Sequence, residues 1–384
     1  MKKGYAALRF IVPVLVVAAM VFFTVMPASA KEGKVIKWRL ASCWPTSLTL
    51  WQADKGFCDT VNKLSGGRLV ITPHPAGEIV SAGDTFEAAR TGIIEVAGDW
   101  PNYWVGKNSA FDLLGSYPLG LNPQDYMVWI YGRDEDGNTP GGFELYQKVY
   151  GKFGLYYIPY GASTMESGMH CKSKQIKSMA DYKGLKVKMS GRTQCAILEH
   201  YGCSPIGLFG PEIYEALSRG TVECAEFCSP GADWSLGFQE ISKYWSVPGY
   251  HQPASVLGGA INMKAYNALP DDLKEILHIA AKANWTDFFT SQSYSNVAAI
   301  KKFRKAGTII DRLPDSDLVD IQNVVNKLSI ESCKKNPLFA EIYHSQVKFL
   351  TDYKDWRFIA EPFTFGQTPE NLPSLEEIEK FFKK

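Results

Sequence analysis

Val35-Ile36-Lys37-Trp38-Arg39-Leu40-Ala41 alternates apolar and basic side chains, with Ile36, Trp38 and Leu40 on one face and Lys37 and Arg39 on the other. Period-two alternation predicts a strand. A turn through Trp44-Pro45 follows, and Ser47 stands as the expected N-cap of a helix carrying Leu48, Trp51, Phe57, Val61 and Leu64 near helical spacing. Gly66-Gly67 closes it. Residues 68–72 read as the next strand, 84–91 as a helix ended by Gly92, and 93–97 as strand again. Strand, helix, strand, helix, strand is the signature of a parallel α/β sheet.

The order recurs downstream. Residues 186–189 alternate as a strand before a helix over 193–201; Pro211 opens a helix ending at Gly220, and residues 221–227 read as a strand. From Asp271 to about Ala306 a helical pattern runs nearly unbroken, acidic in its first turn. At 1.5 Å per residue such a helix reaches ~50 Å, more than one lobe needs, so it reads as a strut touching two lobes. The expected organisation is a leader over 1–30, a first lobe over 31–157, a second over 158–251, a return over 252–270, the strut over 271–306, and C-terminal helices and tail over 307–384. Crossings near 155–160 and 250–255 are expected to act as a hinge, and the last residues to form a short amphipathic helix.

Residues 1–30 read as a secretory leader. Lys2, Lys3 and Arg9 precede an uncharged apolar run, and Pro27-Ala28-Ser29-Ala30 offers a small-residue cleavage site after Ala30. The alternative is an uncleaved anchor. The chain carries 41 Lys and Arg against 40 Asp and Glu, three of those cations lying in the leader. A near-neutral remainder argues against nucleic acid or an anionic membrane surface as partner. All eight cysteines follow the leader; export permits disulfides, but buried free thiols remain an equal reading.

Glu226 carries most of the chemical information. On the strand expected over 221–227 it shares a face with Val222 and Cys224, at the carboxyl end where open α/β sheets bind ligands. An ionised carboxylate on an apolar face needs an ion pair, hydrogen bonds or a metal, and periodicity weighs an ion pair equally with a ligand role. Lys188 ends a strand and Arg192 follows it, two cations that could meet an anion; the bland reading of Lys188 is a solvated strand face. Gln252 lies in a polar stretch fenced by Pro248 and Pro253, a pattern for a rigid crossing segment. Trp44, Trp100, Tyr103 and Trp104 follow early strands and serve either as core or as pocket wall. Zincin, P-loop, nucleophile-elbow and dinucleotide motifs are missing, and no two of the six histidines stand three or four apart.

Four motifs in order behind a leader, Leu64-Ser65-Gly66-Gly67-Arg68-Leu69, His74-Pro75-Ala76-Gly77-Glu78, Tyr182-Lys183-Gly184-Leu185-Lys186 and Glu212-Ile213-Tyr214-Glu215-Ala216-Leu217 with Gly220, resemble the extracytoplasmic solute receptors of tripartite ATP-independent periplasmic (TRAP) transporters. The likeness spans roughly residues 35–349. Residues 142–146, 225–227 and 248–253 resemble the branch that binds 2-oxoacids or 2-hydroxyacids with sodium or calcium. The resemblance implies a two-lobe α/β periplasmic-binding-protein fold with a lobe-spanning helix and a helical C-terminal extension. It further implies a periplasmic, non-enzymatic role in capturing a small organic anion for a membrane permease, with a homodimer as an option.

Residue by residue, the resemblance makes Glu226 and Gln252 side-chain cation ligands and Phe227 a carbonyl ligand, all oxygen donors suited to a hard cation. Substrate contacts would come from Lys188, Arg192, Glu166, Tyr103 and Trp44. Two departures stand out. Lys188 occupies the place of the usual arginine clamp, which leaves a sulfonate as an alternative ligand. In residues 163–168, where the branch places an amide ligand, this chain offers Met165 or Glu166. The rival readings are an ATP-driven importer's binding protein, an exported metal-dependent enzyme with Glu226 as base, and a chemosensory receptor partner.

Overall fold

The computed structural model describes residues 34–360. The expected cleavage after Ala30 and the expected terminal amphipathic helix lie outside them. Two sheets organise the chain, one of five strands and one of six.

In the first sheet β1 (Ile36–Ser42) pairs in parallel with β3 (Val96–Asp99). Next to β3 comes β10 (Ser255–Asn262), antiparallel both to it and to β4 (Leu155–Ser163). β2 (Leu69–His74) forms the edge beside β1. Helix Trp51–Leu64 covers this sheet, burying Trp51, Phe57, Cys58 and Val61; Phe57 stacks on Tyr160 of β4 at 4.4 Å between ring centroids. The helix lacks the expected Ser47 cap. Residues 45–53 instead wind in by successive three-residue turn bonds, such as Leu48 N–H to the Pro45 carbonyl and Trp51 N–H to the Leu48 carbonyl, which satisfy the first-turn donors without a side chain. Gly92, left-handed at φ 81°, ends helix Thr85–Thr91 as expected.

The second sheet sets β6 (Lys186–Lys188) in parallel with β7 (Ser204–Ile206) and β8 (Cys224–Ala225). β5 (Met169–Cys171) runs antiparallel to β8 and to β9 (Tyr244–Val247), and β11 (Ile309–Arg312) closes the edge beside β9. The strand expected over 221–227 is ladder-paired only at Cys224–Ala225. Cys171 and Cys224 stand directly opposite on β5 and β8 and form a disulfide; the other six cysteines are free.

The chain leaves the first sheet at Ser163, beyond the crossing expected near 155–160, because β4 pairs with β10 from Leu155 to Ser163. It returns through residues 248–254. The third connection is helix Asp271–Lys305, 35 residues long. Asn284 ties it to the first lobe, donating to the carbonyls of Ala53 and Tyr160, both at 2.9 Å. Asn296 ties it to the second, accepting from Gly231 N–H at 2.8 Å, and Phe303 packs against Trp234 and Trp245. The strut reading therefore holds at the level of individual bonds. Helices Asp315–Lys335 and Pro337–Ala360 follow. The second returns to the first lobe, where Ser345 accepts from Trp129 Nε1 at 3.1 Å and Gln346 donates to the Leu113 carbonyl at 2.8 Å. Among the described residues no helix is long and apolar enough to cross a membrane.

Candidate functional site between the two sheets

β6 and β8 are parallel neighbours, with Lys188 in register with Ala225, so Lys188 and Glu226 emerge together at the carboxyl edge of the second sheet. Open α/β sheets place ligands at this edge. Lys188 Nζ donates to Glu226 Oε1 at 2.7 Å and Ser190 N–H donates to the same oxygen at 2.9 Å. Both side chains are buried, at 3% and 1% exposure. The two cues that the sequence offers separately, a buried acid and a strand-end lysine, are halves of one ion pair.

Both hydrogen bonds of Glu226 fall on Oε1, and among the described residues Oε2 takes none. Its neighbour Phe227 is buried, and among the described residues no N–H reaches its carbonyl oxygen. Buried backbone carbonyls are nearly always paired, so an unpaired one beside a half-used carboxylate calls for a positive partner.

The two crossing segments supply the opposite wall. Glu166 N–H donates to the Gln252 carbonyl at 3.0 Å, joining the segments main chain to main chain. The Glu166 carboxylate accepts from Ser255 Oγ at 3.1 Å and meets His251 Nε2 at 2.9 Å. Burial, with Lys188 adding to it, pushes His251 down to about 3, so this is a hydrogen bond from a neutral ring and not an ion pair. Burial pushes the Glu166 carboxyl well above the usual carboxylate range; the charge of Glu226 adds to this and Lys188 opposes it. Glu226 is raised for the same first reason, burial, against the pull of Lys188.

One atom of the Gln252 side-chain amide lies 2.8 Å from Glu166 Oε2 and 3.2 Å from Oε1. As nitrogen it donates to the carboxylate. As oxygen it completes a cluster of three oxygens that only a cation stabilises. Ligand atoms of Glu166, Glu226 and His251 all lie within 4.8 Å of one another. Carboxylate, amide and carbonyl oxygens with one imidazole form a donor set that fits a hard cation.

From the first lobe come Trp44, Trp100 and Tyr103, which line the same narrow cavity as Glu166, Lys188, Glu226, Phe227 and Gln252. Trp44 Nε1 is buried without a hydrogen-bond partner, a donor available to an anion. Tyr103 tilts against Trp44 at 5.8 Å and, across the cleft, against Phe209 at 4.6 Å. Arg192 is not brought into this group. Its side chain is exposed and lines an adjoining pocket that shares Tyr103 and Ser190 with the first. Its backbone has another duty, because Asp112 of the first lobe accepts from Arg192 N–H at 3.1 Å and Thr193 N–H at 2.9 Å. Asp112 thereby caps helix Arg192–His200 from across the cleft.

Of the residues that the sequence singles out, Trp44, Tyr103, Glu166, Lys188, Glu226, Phe227 and Gln252 meet in one cavity. Met165, the other option for the amide-ligand position, is half exposed, whereas Glu166 is buried. Sequence reasoning missed His251, Ser190 and Ser255 as partners of the two acids. The polar tripeptide around Gln252 was a signal for His251; Ser255 and the Ser190 backbone had none.

A cleft between two α/β lobes, crossed by a long helix and lined by buried ligating groups, is the plan of a solute receptor. The model of the bacterial extracellular solute-binding proteins, family 7, matches residues 40–336. The chain belongs to that family. Its members bind solutes, which removes the enzyme reading. A monocarboxylate 2-oxoacid-binding periplasmic protein of Nostoc sp. is 29% identical over 327 residues, covering 85% of this chain and 87% of that one. Among solved structures, a TRAP periplasmic solute-binding protein of Colwellia psychrerythraea with bound calcium and pyruvate is 28% identical at a TM-score of 0.80, covering 87% of this chain and 100% of that one. Another, from Pseudoalteromonas atlantica with bound sodium and pyruvate, is 27% identical at 0.79, covering 85% and 98%.

Proposed function

We propose that this family member is the solute receptor of a TRAP transporter and captures a small 2-oxo- or 2-hydroxymonocarboxylate through a bound sodium or calcium ion. The observation that carries the reading is the pairing of a half-used Glu226 carboxylate with an unpaired Phe227 carbonyl in the cavity. An organic anion set directly against Glu226 is repelled; a cation between them reverses the sign. Glu226, Phe227 and Gln252 would hold the ion, which would supply positive charge to the substrate carboxylate. Pyruvate in the two solved relatives and 2-oxoacids in the Nostoc relative agree with this class.

This chain's own residues do the remaining work. Lys188 holds one oxygen of Glu226 and so fixes which oxygen faces the cavity. Trp44 offers its indole N–H to the anion, and Tyr103 seals the cavity from the first lobe. With Lys188 committed to Glu226, a fork-like grip on the substrate's carboxylate is absent, and the cation takes the larger share of recognition. Lobe closure around the bound acid would then present the receptor to a membrane permease. The leader over residues 1–30, cleaved after Ala30, would deliver it to the periplasm.

The test is calorimetric titration of the protein lacking residues 1–30 with pyruvate, in sodium, in calcium and after chelation. Binding that needs a cation and disappears in Glu226→Ala supports the reading. Pyruvate binding indifferent to both cations and chelator would reject the bridge and shift recognition to Trp44 and Lys188.

A further inference from the structure

The geometry points to Glu166 as a second acidic cation ligand that makes this site select a divalent ion over sodium. The inference rests on the cation-bridged reading above and adds to it the identity of the ion.

The argument begins with charge. Glu226 has Lys188 as its counter-charge at 2.7 Å. Among the described residues no Lys or Arg pairs with Glu166; its partners are the Ser255 hydroxyl, the His251 ring and the Gln252 amide. With a cation in the cavity to favour ionisation of both, the two buried carboxylates share one buried ammonium, and one negative charge is left for that cation to offset. Sodium offsets that charge and leaves nothing for an incoming carboxylate. A divalent ion offsets it and keeps one positive charge for the substrate. Buried charges this close interact strongly, so the difference is not a small correction.

Geometry agrees with the count. Glu166 leaves the crossing segment beside Gln252, fixed by the main-chain bond between them. Its carboxylate faces both Glu226 and the Gln252 amide within ligating reach. A cation held by Glu226, Phe227 and Gln252 thus finds a second carboxylate already in place. Oxygen-rich sites with more than one carboxylate and flexible geometry are the preferred setting of calcium, and added ligand charge raises its affinity. The Gln252 amide answers to occupancy as well. Its nitrogen faces Glu166 when no ion is present and its oxygen when one is, so a neutral side chain completes either state.

The experiment is calcium titration of chelator-treated protein, in sodium chloride and in choline chloride of equal ionic strength, compared with Glu166→Gln. Wild type should bind calcium with little competition from sodium. Glu166→Gln should lose about tenfold to a hundredfold in calcium affinity and become sensitive to sodium. An unchanged ratio of calcium to sodium affinity in folded Glu166→Gln overturns the proposal. If that variant fails to fold, terbium emission sensitised by Trp44 and Trp100 decides on wild type: calcium should displace terbium far more effectively than sodium, and comparable displacement overturns the proposal. Pyruvate binding in sodium with no calcium binding would reject Glu166's role while leaving the receptor reading intact. Calcium binding without any response to pyruvate would do the reverse.

Discussion

Glu166 and Gln252, 86 positions apart in sequence, are joined main chain to main chain at 3.0 Å, and both side chains line the cavity. They sit on the two segments that carry the chain between its sheets. The candidate site and the crossing are therefore the same piece of structure. Any ion or anion that pulls on these side chains would pull on the segments that, on the receptor reading proposed above, flex when the lobes open.

Gly249 is the first place to disturb that relationship. A Cβ there would stand 2.2 Å from the Glu166 carbonyl oxygen and 2.6 Å from its carbonyl carbon, both backbone atoms. Gly249→Ala must push the crossings apart, at a cost of about 1–3 kcal/mol. Urea unfolding should show that loss, and calorimetry should show weaker pyruvate binding as Glu166 is displaced. Binding unchanged in a destabilised variant would separate the crossing from the site.

Asp112 acts across the cleft without lining the cavity that holds Glu226. Asp112→Ala removes a cap worth about 0.5–2 kcal/mol from helix Arg192–His200 of the other lobe. That bond joins the two lobes, so pyruvate affinity should fall several-fold through a shift toward the open form. X-ray scattering should record a larger radius of gyration for the ligand-free variant. Equal affinity and equal size would mean that Asp112 stabilises one lobe alone.

The first lobe buries two acids, Asp54 and Asp99, that have no cationic partner among the described residues. Burial, opposed by hydrogen bonds from its neighbours, pushes Asp54 up to about 7 and Asp99 up to about 8. In both cases the folded state keeps a proton that the unfolded chain releases near pH 4. The stability they contribute is therefore fully present below the unfolded value near pH 4 and is lost as pH rises from there through about 7 to 8. Melting curves across that range should show the decline, and Asp99→Asn should flatten part of it. A melting temperature that climbs across the same range would contradict the assignment.

Cys171 and Cys224 stitch β5 to β8, whose ladder pairing spans only two residues, immediately before Glu226. The bridge closes a separation of 53 residues, for which loop-closure entropy gives a stabilisation of about 2–4 kcal/mol. Replacing both cysteines by alanine should lower the urea midpoint accordingly. It should also weaken cation-dependent binding, because the carboxylate of Glu226 loses its nearest covalent anchor. A stability loss with unaltered binding would make the bridge purely structural.

Much of the framework is legible in the sequence. The alternation through Trp38 and Leu40, the Gly66-Gly67 and Gly92 stops and the acidic start at Asp271 each depend on neighbours a few residues away, and the observed elements follow them closely. The exceptions are instructive. Thr221 and Val222 have strand-like alternation but turn their N–H groups back onto the Ala216 carbonyl of the preceding helix; Glu223 is the first to bond across, to Lys186, and the paired strand β8 is cut to Cys224–Ala225. Ser47 has the chemistry of a cap, yet the turn at Pro45 starts the winding by backbone bonds alone.

Periodicity, turn residues and the order of motifs by themselves determined two α/β lobes, a spanning helix and an acid at a strand end, because such signals record local backbone preference and the face that each element buries. They left open whether Glu226 faced a lysine or a ligand, whether the thiols paired, and whether Glu166 or Met165 entered the site. Only the tertiary structure decided these. Strand order set Lys188 beside Glu226, the antiparallel register set Cys171 opposite Cys224, and the bond between the crossings turned Glu166 inward. Contacts between residues tens of positions apart are fixed by which surfaces pack together, and no local pattern encodes that.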